Sequence, residues 1–451
     1  MANLLLTNAT ILNWSPRVVL PNQAILIREG RIAKIGDSES LTANEGGLPI
    51  YDCEGALVLP GAICAHTHFY GAFARGMAIP GVPPRDFPEI LRRLWWGLDR
   101  ALTLDDVRYS ALLCLIDAIH GGTTTLIDHH ASPNAIDGSL SVIAAAVEEA
   151  GLRGVLCYEV TDRDGAERAQ AGIAENVRFL REMERRQDDR LAATFGLHAS
   201  LTLSEETLRA CTTANEPFGS GFHIHLAEHE ADEEDSLARS GVRTTLRLKH
   251  HRILGARTIA AHAVHVDASE VALLRETETW VTHQPRSNMN NGVGVASLDE
   301  LLRAGIKVCL GNDGFSHFMI DEWRAAYLVH KVAKRDPRAA GGETILHIAA
   351  EHNAALAEMF FPTLTLGVIQ PGAAADLMIV AYDPFTPLTG ENAPWHVLFG
   401  VESRMVVGTI CAGKVVMRNR EITTLDERKI LSEARARAPH IWARYAALVG
   451  N

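Results

Sequence analysis

Short apolar runs separated by turn residues occupy both ends of the chain. The segments NLLLTNATILN, QAILIREGRIAKIGD and YDCEGALVLPG have no helical period, and they predict strands and hairpins. Near the other end, GVIQPGAAADLMIVAYDP and SRMVVGTICAGKVVMRNREI have the same character. The two flanks can share one domain if the intervening domain returns its ends to the same place. We predict a β-sandwich from residues 1–58 and 365–425, and a C-terminal helical extension over residues 426–451.

Between these flanks, apolar strand candidates alternate with amphipathic segments rich in Ala, Leu, Glu and Arg, a rhythm typical of βα units. The strand candidates are VLPGAICAH, TTTLIDH, GVLCYEV, AATFGLHA, GFHIHLA, TIAAHAV, TWVTHQP and IKVCLGND. Eight such repeats over about 300 residues predict an α/β fold, a (β/α)8 TIM barrel, with its active site at the carboxyl ends of the strands. We place the barrel at residues 59–364. A doubly wound sheet is the alternative, but it needs a Gly-rich phosphate turn that the sequence lacks.

The segment between the first and second barrel strands is unusually long. It contains four prolines and the aromatic residues Phe69, Tyr70, Phe87, Trp95 and Trp96. Long barrel loops usually cover the substrate. We therefore predict that this segment is a lid, the alternative being that its aromatic side chains only pack the loop.

Composition narrows the class of protein. A chain of 451 residues, 47% of them hydrophobic, can bury a large core. Its formal net charge of -12 argues against nucleic acid and anionic membranes as partners. No stretch approaches the ~20 apolar residues of a membrane span, and the first residues do not resemble a signal peptide. The seven scattered cysteines, without a CxxC pair, indicate buried thiols and a cytoplasmic protein.

Histidine and carboxylate side chains fall at the ends of the barrel strands. His66 and His68 lie two apart on the first strand, so their side chains point to the same side. His225 ends the fifth strand and Asp313 ends the eighth. Three neutral imidazoles and one carboxylate suit zinc or a similar divalent ion. The HxH pair alone is a weak signal, since two polar residues can simply end a strand, but the conjunction of three strands at one rim is stronger.

Two further residues at this rim fit proton transfer. Glu228 follows His225 by three residues, where it could take a proton from water and pass it to a leaving nitrogen. The alternative is that Glu228 belongs to the solvated acidic cluster EHEADEEDS. His262 ends the sixth strand and could orient the water or stabilise an oxyanion, with His265 as the competing residue.

The motifs PGAICAHTHFYGAFARG, HIHLAEHE, AHAVHVD, HQPRSNMNNGVG and LGNDG together resemble the amidohydrolase superfamily. The similarity is to the branch with guanine deaminase, atrazine chlorohydrolase and adenosylhomocysteine deaminase, and within it to the SsnA-type aminohydrolases. It covers essentially the whole chain. It implies that the metal ligands are His66, His68, His225 and Asp313, and that the proton-handling residues are Glu228, His262 and Asp313.

The resemblance also implies substrate contacts. GLHASLTLS matches a segment that places His198 at the substrate, ARG places Arg75 beside it, and PRSNMNNG places Arg286 and Asn288 in the pocket. Each has a structural alternative, which for the arginines is pairing with carboxylates. With the lid aromatics included, the predicted substrate contacts are Arg75, His198, Tyr70, Trp95, Arg286 and Asn288.

The absence of a lysine at the fourth strand bears on the number of metal ions. Binuclear relatives commonly use a carboxylated lysine at the fourth strand, and this chain has no lysine between Lys34 and Lys249. We predict a mononuclear site for zinc, with iron or manganese also suited. The remaining route to two ions is a bridge by Glu159. We predict that the cluster Asp128, His129 and His130 supports the metal ligands, with contacts to substrate or loop backbone as alternatives.

These residues predict a metal-dependent hydrolase of C–N bonds other than peptide bonds. The lid aromatics and Arg75 suggest a flat heterocycle such as a purine, and hence a role in purine catabolism. Deamination and ring opening both stay open. The alternatives are a triazine-type chlorohydrolase, against which the presence of Glu228 argues, and a non-catalytic scaffold, against which the intact ligand set argues. Because relatives are often dimers, we expect a homodimer.

Overall fold

The secondary structure follows the two rhythms of the sequence. The computed structural model describes residues 3–45, 47–186 and 188–449. The strands in these ranges are β1 Leu4–Trp14, β2 Arg17–Arg28, β3 Arg31–Asp37, β4 Ile50–Asp52, β5 Leu57–Pro60, β6 Ala62–Thr67, β7 Thr123–His130, β8 Arg153–Tyr158, β9 Leu191–Ala193, β10 Phe195–Ala199, β11 Phe222–Leu226, β12 Ile259–His262, β13 Trp280–His283, β14 Val308–Leu310, β15 Leu377–Val380, β16 Val406–Cys411, β17 Lys414–Arg418 and β18 Glu421–Ile422.

Helices separate most of the barrel strands, and others lie outside the barrel. They are α1 Ser38–Asn44, α2 Phe87–Ile90, α3 Trp96–Ala101, α4 Leu104–His120, α5 Ser139–Ala150, α6 Ala166–Arg186, α7 Glu205–Asn215, α8 Glu230–Ser240, α9 Thr244–His250, α10 Ala268–Glu276, α11 Pro285–Asn291, α12 Leu298–Arg303, α13 Met319–Lys334, α14 Gly342–Leu346, α15 Asn353–Phe360, α16 Ala393–Gly400 and α17 Glu427–Val449. Within the described ranges, none of these helices is both long and apolar enough to cross a membrane.

Strands β6 to β14 form the barrel. All are parallel to their neighbours, in the orders β6-β7-β8-β9 and β10-β11-β12-β13-β14. Parallel bridges between Val160 and Leu197 and between Thr67 and Asp313 join the two sets and close the ring. Each predicted strand is present, with β9 and β10 sharing the fourth. The α/β barrel of the TIM type is therefore confirmed, and it brings all the strand ends to one rim.

The barrel interior is apolar away from that rim. Ile63, Ile127, Val155, Ile259 and Cys309 come from five different strands and pack in one cluster with residues of α15. Residues from five strands of a ring can meet only inside it. Strands buried in this way read as continuous apolar runs, which is why the sequence predicts them well.

The two chain ends share one nine-stranded sheet, in the order β18-β17-β16-β15-β5-β1-β2-β3 with β4 beside β1. The antiparallel pairing of β15 with β5 joins the two halves. Leu6, Ile25 and Ile27 from one end pack with Leu377 and Ile379 from the other. The predicted partnership of the two ends is thus present, while the division of this sheet into the two layers of a sandwich stays a prediction.

Helix α17 occupies most of the predicted extension over residues 426–451, of which 450 and 451 lie outside the described residues. It packs against the lid region of the chain. Trp442 donates from Nε1 to the Phe73 carbonyl at 2.9 Å, and the Tyr445 hydroxyl donates to the Arg93 carbonyl. The end of the chain therefore braces the segment that follows the first barrel strand.

Candidate metal and active site

The four predicted metal ligands converge at the barrel rim. Nε2 of His68 is 2.9 Å from Oδ1 of Asp313 and 3.2 Å from Nε2 of His225. Nε2 of His66 is 3.2 Å from the same Asp313 oxygen. A tetrahedral zinc ion with bonds of about 2.0–2.1 Å has ligand atoms ~3.3 Å apart. The donor set and its spacing therefore fit one zinc-sized ion.

Two of the imidazoles are fixed from behind by carbonyl groups. Nδ1 of His225 donates to the carbonyl of His198 at 2.8 Å. Nδ1 of His68 donates to the carbonyl of His129 at 2.6 Å and lies 3.2 Å from Oε1 of Glu159. With Nδ1 protonated, Nε2 keeps its lone pair for an ion, and this is how metal-binding histidines are usually oriented.

The third imidazole is fixed by a residue that the sequence reasoning missed. Nδ1 of His66 is 2.8 Å from Nε2 of His223, and both side chains are fully buried. His223 and His225 repeat the two-residue spacing of His66 and His68. That repeated spacing is the signal that could have identified His223.

Asp313 is held as a carboxylate. Burial opposes its ionisation, but the adjacent rings of His66 and His68 outweigh burial and hold the pKa of its carboxyl well below the usual range. Its backbone has φ 60°, a left-handed conformation that is uncommon outside glycine and that recurs at functional sites. Gly311 permits this approach, because a Cβ there would lie 2.6 Å from the backbone of His66.

Glu228 and His262 face each other beside the ligand set. Oε2 of Glu228 is 3.4 Å from Nε2 of His262. Burial, reinforced by the charge of Asp313, raises the pKa of the Glu228 carboxyl well above its usual value. Burial also lowers the pKa of His262 to about 4. In the described part of the chain, Oε1 of Glu228 and Nε2 of His262 have no hydrogen-bond partner.

Asn288 determines which nitrogen of His262 is free. Oδ1 of Asn288 is 2.8 Å from Nδ1 of His262, and Asn288 is only 1% exposed. Nδ1 therefore donates to the amide oxygen, and Nε2 is left as an acceptor. This favours the predicted water-orienting role of His262 over oxyanion stabilisation, because a neutral ring in this tautomer has no proton at Nε2 to donate.

A cavity of about 270 Å³ opens onto these residues. Its wall includes Tyr70, Phe87, Leu91, Trp95 and Trp96 of the predicted lid, opposite His198, Glu228 and Asp313. Tyr70 and Trp95 meet edge to face, with ring centroids 6.4 Å apart. Four of the five predicted lid aromatics thus line the cavity, whereas Phe69 packs in the core.

The predicted substrate contacts separate into two groups. Tyr70, Trp95 and His198 line the cavity. Arg75 is exposed, and it lies outside the residues that line the cavity. The Arg286 guanidinium instead binds the hydroxyl of Ser316 and the carboxylate of Glu322, which lies on α13. Arg286 therefore pairs with a carboxylate, which was the structural alternative for this residue.

Asn288 also lies outside the cavity wall, because it binds His262 from behind. Its contact is with a catalytic candidate and not with the space available to a ligand. The structure therefore does not place Arg75, Arg286 and Asn288 in the cavity wall, where we predicted them from the sequence.

The polar cluster at the end of β7 supports the rim. Oδ1 of Asp128 accepts a hydrogen bond from the backbone of Phe69 at 2.8 Å, which fixes the start of the lid. His129 offers its carbonyl to His68, and the ring of His130 contacts the Ser132 hydroxyl at 2.9 Å.

Glu159 is ionised. Burial opposes this, but the hydrogen bond from His68 outweighs burial and lowers the pKa of Glu159 to about 2. Glu159, His198 and His225 each place one ligand atom within 4.8 Å of the others, so the route to a second ion by way of Glu159 keeps a geometric basis.

A closed barrel with three imidazoles and a carboxylate at its rim defines the class of metal-dependent hydrolases. A model of the amidohydrolase family matches residues 57–416 of the chain. The chain belongs to the amidohydrolase family, and it is a hydrolase of C–N bonds that uses a divalent metal ion.

Curated relatives match over nearly the whole chain. This chain is 31% identical to the 5-methylthioadenosine/S-adenosylhomocysteine deaminase of Pelotomaculum thermopropionicum, and the match covers 97% of this chain and 98% of that protein. It is 30% identical to the 5'-deoxyadenosine deaminase of Methanosarcina acetivorans, covering 98% and 99%.

Solved structures share the fold. An adenosine deaminase from Xanthomonas campestris with bound zinc has a TM-score of 0.86 at 22% identity, covering 98% of this chain and 99% of that one. The atrazine chlorohydrolase of Arthrobacter aurescens, complexed with zinc, has a TM-score of 0.79 at 21% identity, covering 97% and 100%. At these identities the likeness shows the fold alone.

Proposed function

We propose that this protein deaminates a purine-like heterocycle at a single zinc site formed by His66, His68, His225 and Asp313. The observation that carries the proposal is the pair formed by Glu228 and His262 at the ligand set, where Oε2 of Glu228 is 3.4 Å from Nε2 of His262. Burial raises the pKa of Glu228, and the contact of Asn288 with Nδ1 of His262 leaves Nε2 as an acceptor. The names of the relatives, all deaminases of adenosine derivatives, support the substrate class. The apolar lid wall suits a flat ring.

The chemistry divides between the ion and the side chains. A divalent ion at this site supplies a Lewis acid that makes water available as a nucleophile near neutral pH. Asp313, ionised in the folded protein, accepts a proton from the attacking water. His262 orients that water through Nε2. Glu228 donates its proton to the leaving nitrogen, which departs as ammonia.

The cavity wall positions the ring. Trp95 and Trp96 contribute aromatic rings to this wall, and His198 contributes a polar ring that meets Trp96 edge to face, with centroids 6.3 Å apart. Nδ1 of His198 is 2.8 Å from the Thr202 hydroxyl, so this ring is held in place. A substrate ring held in this way has its reacting carbon beside Glu228 and Asp313. The reacting groups are then already oriented, which lowers the entropic part of the barrier.

Turnover of a set of heterocycles tests the proposal. The zinc-loaded protein is incubated with adenosine, 5'-deoxyadenosine, 5'-methylthioadenosine, S-adenosylhomocysteine, adenine and guanine, and ammonia is measured. Ammonia release from at least one compound, abolished in Glu228→Gln, is the expected result. Ring opening without ammonia replaces deamination by cyclic-amide hydrolysis, and no turnover of any compound overturns the substrate class.

The predictions on organisation belong to the same proposal. We assign residues 1–58 and 365–425 to a β-sandwich, 59–364 to the catalytic barrel and 426–451 to a helical extension. The shared nine-stranded sheet supports the first assignment. We also propose a cytoplasmic homodimer that binds neither nucleic acid nor membranes. Light scattering coupled to gel filtration tests the dimer, which a monomeric mass would overturn.

A further inference from the structure

His223 lies beneath the candidate metal ligands and outside the cavity. It is fully buried within β11, and it is absent from the cavity wall, so a bound substrate does not reach it. Its ring stacks on that of His129, with centroids 4.3 Å apart and planes 13° from parallel. His129, Cys157 and His223 each place one ligand atom within 4.8 Å of the others. Because the two ring planes are nearly parallel, the lone pairs of both rings cannot point at one ion, so this pair is poorly arranged to bind a further metal.

The hydrogen bond between His66 and His223 has a defined direction. Nε2 of His66 faces Oδ1 of Asp313, where an ion would take its lone pair. With an ion at Nε2, the proton of His66 would be on Nδ1, and it would be donated to Nε2 of His223 at 2.8 Å. The proton of His223 must then be on Nδ1.

The other nitrogen of His223 faces a thiol. Nδ1 of His223 is 3.9 Å from Sγ of Cys157, and that sulfur is 3.5 Å from the carbonyl of Asp128. The thiol can accept from His223 and donate to the carbonyl. Two neutral imidazoles and one thiol thus form a directed chain from a metal ligand to the backbone.

The three imidazole ligands consequently have three different supports. His225 is supported by a carbonyl, and His68 by a carbonyl together with the carboxylate of Glu159. Only His66, among the three, is supported by a neutral ring. A carboxylate or carbonyl is the usual partner of a metal-binding histidine. A neutral ring orients its partner without adding negative charge to the site.

We propose that His223 is a positioning residue that fixes the ring and the protonation pattern of His66 for metal binding, and that Cys157 holds His223 in the matching tautomer. The proposal rests on the proposed function only for the location of the ion. It does not depend on which heterocycle is the substrate.

Two amide variants separate an orienting role from a packing role. His223→Gln places an amide oxygen near the position of Nε2, and it keeps an acceptor for His66. His223→Asn is one methylene shorter and does not reach. The zinc dissociation constant of the metal-free protein is measured by competition with a chromophoric chelator, and thermal unfolding of each metal-free variant is measured alongside.

We expect His223→Asn to bind zinc about 10–100-fold more weakly, the usual effect of losing such a partner, and His223→Gln to bind near the wild-type value. The matched control is His330→Asn. Nε2 of His330 is 3.1 Å from Nε2 of His283, so this change breaks another buried imidazole pair that does not contact a proposed ligand. The control should keep wild-type zinc affinity.

Equal zinc affinity in wild type and His223→Asn would overturn the proposal, as would equal weakening in both His223 variants and the control. A wild-type chain that binds no zinc would overturn it as well. A wild-type chain that binds zinc, weakens as expected in His223→Asn and turns over no purine-like compound supports the role of His223 and overturns only the proposed substrate.

Discussion

The two His-x-His pairs of this chain have the same spacing and different uses. His66 and His68 both direct Nε2 to Asp313, whereas in the second pair His225 reaches the ligand set and His223 supports it from behind. Residues two apart in a strand are separated by about 6.6 Å, while the ligand atoms around a zinc ion are ~3.3 Å apart. Both members of such a pair therefore reach one ion only if their side chains lean toward each other.

The first pair lies at the point where its strand ends. Strand β6 stops at Thr67, its pairing with β7 is irregular between Cys64 and Thr67, and His68 begins a 3-10 turn. Strand β11 pairs regularly with β12 from His223 to Leu226, although its pairing with β10 is irregular between Leu197 and Ala199. The spacing of a motif thus predicts a shared side, but it does not predict how many ligands that side supplies.

The largest expected effect comes from the outer histidine of either pair. His68→Ala and His225→Ala each remove one of four ligand atoms, so both should reduce bound zinc to well below one ion per chain and turnover to background. Metal analysis and kcat/KM measure this. A His225→Ala protein that keeps one tightly bound zinc would break the comparison, because His223 would then be able to serve as a ligand.

The next effect concerns the residue that follows the second pair. Glu228→Gln keeps the shape and the hydrogen-bonding capacity of the side chain but cannot transfer its proton. We expect kcat to fall about 10²–10⁴-fold with zinc content unchanged. Loss of zinc in this variant would show that Glu228 acts as a ligand and not as an acid.

Asn288 contacts Nδ1 of His262 as His223 contacts Nδ1 of His66. A substitution of Asn288 should therefore have a smaller effect than the loss of a ligand or of Glu228. Asn288→Leu removes the acceptor for Nδ1 and should lower kcat about 10–100-fold, a part of what positioned proton transfer supplies. KM should stay near the wild-type value, because Asn288 does not line the cavity. Asn288→Asp keeps an acceptor and should retain more activity than Asn288→Leu. An effect on KM alone would restore the predicted substrate contact.

The smallest effect lies in the lid that follows the first pair. Trp95→Leu removes an aromatic surface from the cavity wall, and ring contacts of this kind contribute about 0.5–1.5 kcal/mol. We therefore expect KM to rise about twofold to tenfold with little change in kcat. Trp442→Phe, which removes the Nε1–H that binds the lid backbone, is the comparison variant outside the cavity. A large fall in kcat for Trp95→Leu would assign Trp95 to the chemistry.

Much of this arrangement could be predicted from the chain because it depends on strand ends. The eight barrel strands read as apolar runs, and His66, His68, His225, Asp313, Glu228 and His262 all occur where such a run stops. The positions of Arg286 and Asn288 could not be read in this way. Their partners are Glu322 and His262, which are distant in sequence, and only the folded chain brings these side chains together.

His223 could not be separated from His225 by pattern alone. Both belong to the same buried strand, and the sequence shows the spacing but not the depth at which each ring lies. The exposure of Arg75 is a similar case, since the direction of a loop side chain depends on contacts made elsewhere.

The brace on the lid has a consequence for the order of assembly. Trp442 lies 369 residues after the Phe73 carbonyl that it binds, and Tyr445 lies 352 residues after Arg93. During synthesis from the N-terminus, the barrel can close and its rim can bind an ion before helix α17 exists. The cavity wall formed by this segment would then reach its final position last. A nascent chain would pass through a state able to bind metal but not yet selective for its ligand.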